Sequence, residues 1–170
     1  MSNLNFFLHL GVLLLLQWGI FDHLQLHSYI YINIYIIAIY LLPYRWHSTL
    51  TLLFGFLLGL LMDIMNHTMG IHTVATTLLT YIRPHLLRLI VTNEQWDDIH
   101  NKQKILEFNI FSKYTLISTL VFNIVLISCE VFTFQNFFIT CSRILCSTFV
   151  STFFIILYYF LALKKRKSFR

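Results

Sequence analysis

The sequence predicts an all-α integral membrane protein, a six-helix transmembrane bundle, and three observations lead to this prediction. Of the 170 residues, 58% are hydrophobic and 11% are charged, whereas a typical soluble domain carries about 25% charged residues. The apolar residues fall into six runs, and a bilayer-crossing helix needs about 20 of them. Lys and Arg cluster at the ends of these runs. We expect one transmembrane domain over residues 1–170 in contact with membrane lipid. We expect no nucleic-acid partner despite the net charge of +5.

The six predicted spans are apolar runs that end at polar residues, at prolines or at turns. Their approximate bounds are 5–21, 24–42, 48–65, 71–90, 112–132 and 137–163.

The second span is the one whose helical character is least obvious. Its core, YIYINIYIIAIY, alternates as a β-strand does and is rich in β-branched residues. A lone strand in lipid would leave its backbone groups without hydrogen-bond partners. We therefore expect a helix here, either short or tilted.

The basic residues predict the orientation of the bundle. With six crossings, 11 of the 12 Lys and Arg residues fall at one face, and only Arg143 falls at the other. Basic residues near span ends favour the cytoplasm, so we expect both termini to be cytoplasmic. The three outer loops, near 22–28, 66–70 and 132–136, are short and carry no basic residue.

A helical hairpin between Leu53 and Leu89 is expected to be the packing centre. Gly55, Gly59 and Asp63 are spaced four residues apart, so on a helix they share one face. Glycines that let backbones approach, together with polar groups that find partners, drive helix association in lipid. Gly70 lies in the short polar turn that follows.

Three charged residues lie near the predicted outer boundary of the hydrocarbon. At the helical rise, Asp63 lies about 22 Å beyond the start of its span, and Glu130 lies about 25 Å from Lys113. Arg143 is close to Glu130 across a short turn, so the two could form an ion pair. Two interpretations stay open: these residues form a polar cap or partner-docking patch, or each one only reaches the headgroups.

Asp63, His67 and His72 could be taken for metal ligands, but a helix, a loop and a second helix would have to converge on the ion. No HExxH-type signature is present, so we expect neither a metal nor a cofactor.

The Arg83-Pro84 pair has a direct consequence for the fourth span. Pro84 cannot donate a hydrogen bond to the Thr80 carbonyl, so the helix is expected to kink or end there. Arg83 and Arg88 would then lie at the inner headgroups. This feature is either a helix end with basic anchors or an elbow that binds a partner.

The fifth span carries hydroxyl groups on one face, at Ser112, Thr115 and Thr119. Such hydroxyls bond helix to helix, and we favour this packing role over a transport path. Nothing in the sequence resembles a catalytic triad or a phosphate-binding loop, so we expect no enzymatic activity.

The chain resembles the MreD family of rod shape-determining proteins. The resemblance rests on Gly55-x-x-x-Gly59-Leu60-x-x-Asp63, on Gly70-Ile71-His72 and on Arg83-Pro84. It covers the whole chain in topology, but only about residues 43–90 in motif. The family fold is similar to that of the substrate-binding subunits of energy-coupling-factor transporters.

This resemblance implies a non-enzymatic subunit of the cell-wall elongation machinery in the bacterial inner membrane, which maintains rod shape. MreD-like proteins associate with MreC, and through it with a class B penicillin-binding transpeptidase, RodA and MreB. The family has no known catalytic residues. Gly55, Gly59, Asp63 and Gly70 carry over as motif positions only.

The similarity of folds also implies an alternative, the substrate-binding subunit of a vitamin transporter. Such a subunit would need an outward polar pocket and a small-residue face on the first span. Here that span offers Gly11 and Gly19 but no Ala-x-x-x-Ala face, and the outer loops are short for a lid.

Overall fold

The computed structural model describes residues 3–21, 31–43, 46–93, 95–96, 107–131 and 137–163. Most of these residues are helical. The six α-helices in these ranges are α1 (Asn3–Leu16), α2 (Ile37–Tyr40), α3 (Ser48–Asn66), α4 (Ile71–Ile90), α5 (Phe108–Glu130) and α6 (Phe137–Tyr158). Single π-helical turns extend α1 over Gln17–Phe21 and α6 over Tyr159–Leu163.

Three of these helices are long and apolar enough to cross a membrane. They are Ser48–Asn66, Phe108–Glu130 and the apolar part of the last helix, Phe137–Leu161. At about 1.5 Å per residue, each is close to the hydrocarbon thickness of a bilayer. The prediction of an all-helical chain with membrane-spanning helices is confirmed to this extent. α4 has 20 residues but is less apolar than these three, since its sequence includes Thr, His and Arg.

The four long helices pack as antiparallel neighbours in chain order. α4 lies between α3 and α5, and α5 packs against α6. The pairs Asn123–Thr148 and Glu130–Arg143 show the antiparallel register of α5 and α6. The α3–α4 turn and the end of the α5–α6 pair marked by Glu130 and Arg143 therefore lie at the same end of the bundle.

The second predicted span differs from the structure. Residues 24–30 of that prediction lie outside the described residues, and 31–36 are not helical; α2 is only four residues long. We refer to residues 31–36 as the entry segment. The expectation of a continuous helix was wrong. It assumed that this backbone could form hydrogen bonds only within its own helix, whereas side chains of extended α1 and of α6 supply hydrogen bonds to it.

The entry segment and α2 form the most completely buried run in the described chain. Every residue from Ile32 to Tyr40 is buried, and Tyr35, Ile36, Ile37 and Ile39 have no exposed surface. The α3–α4 hairpin was expected to be the packing centre, and α3 and α4 do form the most extensive helix pair. The centre of the core, however, is the entry segment.

α4 spans Ile71–Ile90, the bounds predicted for the fourth span, and Pro84 lies inside the helix and does not end it. α5 begins at Phe108, one turn before the predicted start at residue 112. The predicted outer loops at 22–28 and 132–136 lie outside the described residues.

Candidate functional site

Close backbone contact holds the α3–α4 hairpin together at two glycines. A Cβ atom added to Gly59 would lie 2.5 Å from Thr73 Cα and 2.8 Å from the His72 carbonyl oxygen. A Cβ atom added to Gly55 would meet the Thr80 side chain and would lie 3.3 Å from the Thr76 carbonyl oxygen. Only glycine therefore permits this helix separation.

The threonines that face these glycines satisfy their own hydroxyl groups within α4. Thr76 Oγ1 donates to the His72 carbonyl oxygen at 2.7 Å, and Thr80 Oγ1 donates to the Thr76 carbonyl oxygen at 2.6 Å. The same hydroxyl oxygens and the nearby backbone of α4 pack directly against Gly55 and Gly59. Small and hydroxyl-bearing residues at a close helix contact are typical of packing in membranes.

Asp63 caps the N-terminus of α4 from the neighbouring helix. Its Oδ1 accepts from the His72 backbone N–H at 3.0 Å, and its Oδ2 accepts from the Thr73 backbone N–H at 2.8 Å. The hydroxyl groups of Thr68 and Thr73 donate to the same carboxylate, each at 2.5 Å. The N-cap residue, Gly70, has no side chain to fill this role. A carboxylate here satisfies free backbone donors and interacts favourably with the positive end of the helix dipole.

The turn between α3 and α4 needs two left-handed residues. His67, the C-cap of α3, has φ 54°, and Gly70 has φ 86°. The Thr68 N–H then reaches back to the Asp63 carbonyl oxygen at 3.0 Å, which is the long bond of a Schellman-type helix end. The motif positions Gly55, Gly59, Asp63 and Gly70 thus build a single hairpin.

Gln17 binds the entry segment as a neighbouring strand would. Its Nε2 donates to the Ile32 carbonyl oxygen at 2.8 Å, and its Oε1 accepts from the Ile34 N–H at 2.9 Å. A primary amide carries one donor face and one acceptor face, so one side chain satisfies two backbone groups. Gln17 is itself buried, with 2% of its surface exposed.

Two serines on α6 serve the same backbone from the other side. The Tyr31 N–H donates to Ser147 Oγ at 3.1 Å, and the Asn33 N–H donates to Ser151 Oγ at 3.1 Å. Ser151 Oγ in turn donates to the Tyr31 carbonyl oxygen at 3.2 Å. Because Ser147 and Ser151 are one helical turn apart, they match alternate residues of the entry segment.

Buried side-chain hydrogen bonds connect this segment to the long helices. Asn33 Nδ2 donates to Asn123 Oδ1 at 3.3 Å, and Asn123 Nδ2 donates to Thr148 Oγ1 at 3.2 Å. The Tyr35 hydroxyl is 2.9 Å from His72 Nδ1 on α4. We call Gln17, Asn33, Asn123, Ser147 and Ser151 the polar core; its hydrogen bonds fix the path of the chain between helices.

Arg83 binds the C-terminal end of α2. Its Nη2 donates to the Leu42 carbonyl oxygen, and it lies 3.5 Å from the Tyr40 carbonyl oxygen. With 3% of its surface exposed, Arg83 is buried within the chain, and its expected position at the level of the inner headgroups stays a prediction. A cation at a helix C-terminus is favourable because free carbonyls and the dipole both attract it.

Glu130 and Arg143 form the ion pair that their positions predict. Arg143 Nη2 is 3.3 Å from both Glu130 oxygens. Tyr31 joins them: its hydroxyl donates to Glu130 Oε1 at 2.6 Å, and its ring lies 4.7 Å below the Arg143 guanidinium. Asp63 bonds within the hairpin instead, so the predicted three-residue cap divides into two separate features.

Asp63 and His72, which were considered as metal ligands together with His67, bond to different partners. The Asp63 carboxylate accepts a hydrogen bond from the His72 backbone N–H, while the His72 imidazole is hydrogen-bonded to the Tyr35 hydroxyl. Among the described residues, no three His, Cys, Asp or Glu side chains form a group that could hold a metal ion.

Sequence reasoning missed most of the polar core. The serines of α6 follow an i, i+4 spacing, with Thr148 and Thr152 beside them, and such a stripe in an apolar helix indicates a buried polar contact. Asn33 in the middle of a strand-like apolar run is a second signal. Read together, they would have suggested a non-helical segment packed against the last helix.

Comparison with protein-family models, with curated proteins and with solved structures finds no significant match for this chain.

Proposed function

We propose that this chain is a non-enzymatic, MreD-like subunit of the bacterial cell-wall elongation machinery, which binds MreC and helps to organise peptidoglycan synthesis. The observation that carries the proposal is the hairpin. The residues of the family-like motif, Gly55, Gly59, Asp63 and Gly70, build one packing unit by direct contact. The resemblance is supported because all four motif residues belong to one structural unit. Motif positions that matched by chance would be expected to lie apart in the structure.

The polar core favours a scaffold over the vitamin-binding alternative. A vitamin site needs polar side chains that are free to face a ligand. Here Gln17, Asn33, Asn123, Ser147 and Ser151 bond to the chain itself. They support the shape of the bundle.

We further propose six crossings of the bacterial inner membrane with both termini in the cytoplasm. The path of the second span supports this topology. Tyr31 contacts Glu130 at one end of the bundle, and Leu42 contacts Arg83 toward the other. Residues 31–34 at the rise of an extended chain and residues 35–42 at the rise of a helix together reach about 25 Å, close to the thickness of a bilayer core. Twelve residues can therefore cross where a helix would need about twenty.

The proposal is tested by purifying the tagged full-length chain from its native membranes in a mild detergent. We expect MreC to co-purify, accompanied by RodA, the class B transpeptidase and MreB in sub-stoichiometric amounts. Depletion of the chain should convert rods to spheres. A bound vitamin together with ATPase subunits would instead establish the transport alternative, and rod shape would then survive depletion.

A further inference from the structure

The outward face of α4 is unlike the outward faces of the other long helices. Exposed residues of α3 and α6 at middle depth are apolar, as at Leu57 and Phe153. The exposed face of α4 includes Val74, Leu78 and Leu89, but it also carries Tyr81, Pro84, His85 and Arg88 at one-turn spacing. We call these four residues the α4 stripe. Lipid tails can surround the exposed faces of α3 and α6, but they offer no hydrogen-bond partners to the polar groups of the α4 stripe.

Tyr81 is a polar side chain exposed at the middle of α4, where a membrane-spanning helix would contact lipid tails. Tyr81 is 63% exposed and lies near the middle of α4, so it is about 14 Å from either end of the helix. Tyrosines that face lipid usually lie at the membrane interface. Side chains on a helix point toward its N-terminus, which for α4 is the end away from Arg88. In the proposed arrangement, Tyr81 therefore points away from the nearer end of the helix and toward the middle of the membrane.

The α4 stripe presents donors and positive charge together. The Arg88 guanidinium lies 4.7 Å from the Trp96 ring, and the Tyr81 and His85 rings lie 6.1 Å apart. Pro84 lacks the N–H that another residue would donate to the Thr80 carbonyl. Two of the described acids are already engaged: Asp63 caps α4, and Glu130 pairs with Arg143.

We infer that the α4 stripe is a docking surface for a membrane-spanning helix of a partner protein, which carries an Asp or Glu level with Arg88 and a polar side chain level with Tyr81. The inference rests on the proposed function and names the surface that MreC would occupy. Charge complementarity selects this occupant over a second copy, since a two-fold contact along α4 would bring the two Arg88 side chains together.

Two matched pairs of variants test the inference in membranes that hold the full-length chain and its MreC partner. A photo-reactive benzoylphenylalanine is placed at position 81 or at position 153, two aromatic positions of equal exposure (63% and 64%). We expect cross-links to MreC from position 81 and to lipid from position 153. Separately, Arg88→Glu should lower co-purified MreC about tenfold or more, because a buried charge pair becomes a repulsion. Lys113→Glu, an exposed basic position on α5, should leave the amount of co-purified MreC unchanged.

The outcomes separate the two proposals. A wild-type complex that survives Arg88→Glu overturns the docking surface alone, as do cross-links from position 81 that reach only lipid or a second copy. Absence of any wild-type complex removes the proposed function, and the docking surface with it. Recovery of binding when the partner acid is changed to Arg in the Arg88→Glu background would establish the pairing. Size-exclusion profiles of each variant check that the fold is intact.

Discussion

Asp63 shows what a single charged side chain does in this fold. It is 7% exposed and accepts four hydrogen bonds, two of them from the first backbone N–H groups of α4. Hydrogen bonds to an ionised acceptor are shorter and stronger than neutral ones. A buried carboxylate would be costly alone, but here its charge is met by donors and by the helix dipole. Its role is to fix the turn that joins α3 to α4.

Replacement of Asp63 by Ala should therefore destabilise the hairpin. We expect a loss of about 1–3 kcal/mol in the free energy of unfolding, since a cap is removed and buried donors are left unpaired. The measurement is thermal unfolding of the purified protein in detergent. Glu107→Ala is the matched control, because Glu107 precedes α5 and makes no side-chain cap bond. Equal melting temperatures for the two variants would show that the cap has no energetic value.

At the scale of elements, the α3–α4 pair and the entry segment are held by opposite means. The hairpin relies on the absence of side chains at Gly55 and Gly59, which brings two backbones together. The entry segment relies on long polar side chains that reach an irregular backbone. Both close backbone packing and buried polar contacts can hold helices together in lipid, where apolar contact contributes little to helix association.

Gly59→Leu should separate α3 from α4. The new side chain would start 2.5 Å from Thr73 Cα, so the backbone of α4 must move, at a cost of about 1–3 kcal/mol or more. Gly11→Leu is the control, since no atom lies within 4 Å of a Cβ built at Gly11. Monodispersity in detergent and co-purification of MreC are the readouts. Wild-type behaviour of Gly59→Leu would contradict the close packing.

Gln17→Leu should destabilise the entry segment without adding bulk. The Ile32 carbonyl and the Ile34 N–H lose their bonds to Gln17 in a buried environment, and we expect a loss of about 2–4 kcal/mol. Unfolding by a denaturing detergent measures the change. Asn109→Leu, at an exposed position of α5, is the control for a general effect of replacing an amide by Leu. A Gln17→Leu variant as stable as Asn109→Leu would show that the segment holds its shape without Gln17.

For the whole molecule, the proposed topology makes the two ends of the bundle chemically accessible from opposite sides. In a background free of native cysteines, Met69→Cys at the fully exposed α3–α4 turn should react with a membrane-impermeant maleimide in spheroplasts. Thr92→Cys, exposed just after α4, should react only after the membrane is permeabilised, because the proposed topology places that end in the cytoplasm. Reaction at position 92 from outside would invert the orientation.

The sequence predicted those parts of the molecule whose partners are near one another in the chain. Gly55, Gly59, Asp63 and Gly70 lie within 16 residues, so helical spacing predicted the shared face of the first three and the turn at Gly70, although not the capping of α4 by Asp63. Glu130 and Arg143 are 13 residues apart, and their ion pair follows from one short turn. The entry segment could not be predicted in this way, because its serine partners are 116 and 118 residues distant. Periodicity says nothing about contacts at that range.

That distance has a consequence for how the protein is made. The ribosome finishes the Tyr31 region long before Ser147 and Ser151 exist, so the nascent chain cannot hold this backbone in its final form. Until the last helix is in place, residues 31–36 lack the two serine partners, and of the side chains that bond this backbone only Gln17 is available. We expect chains truncated before α6 to be degraded, however well the helices that precede it insert.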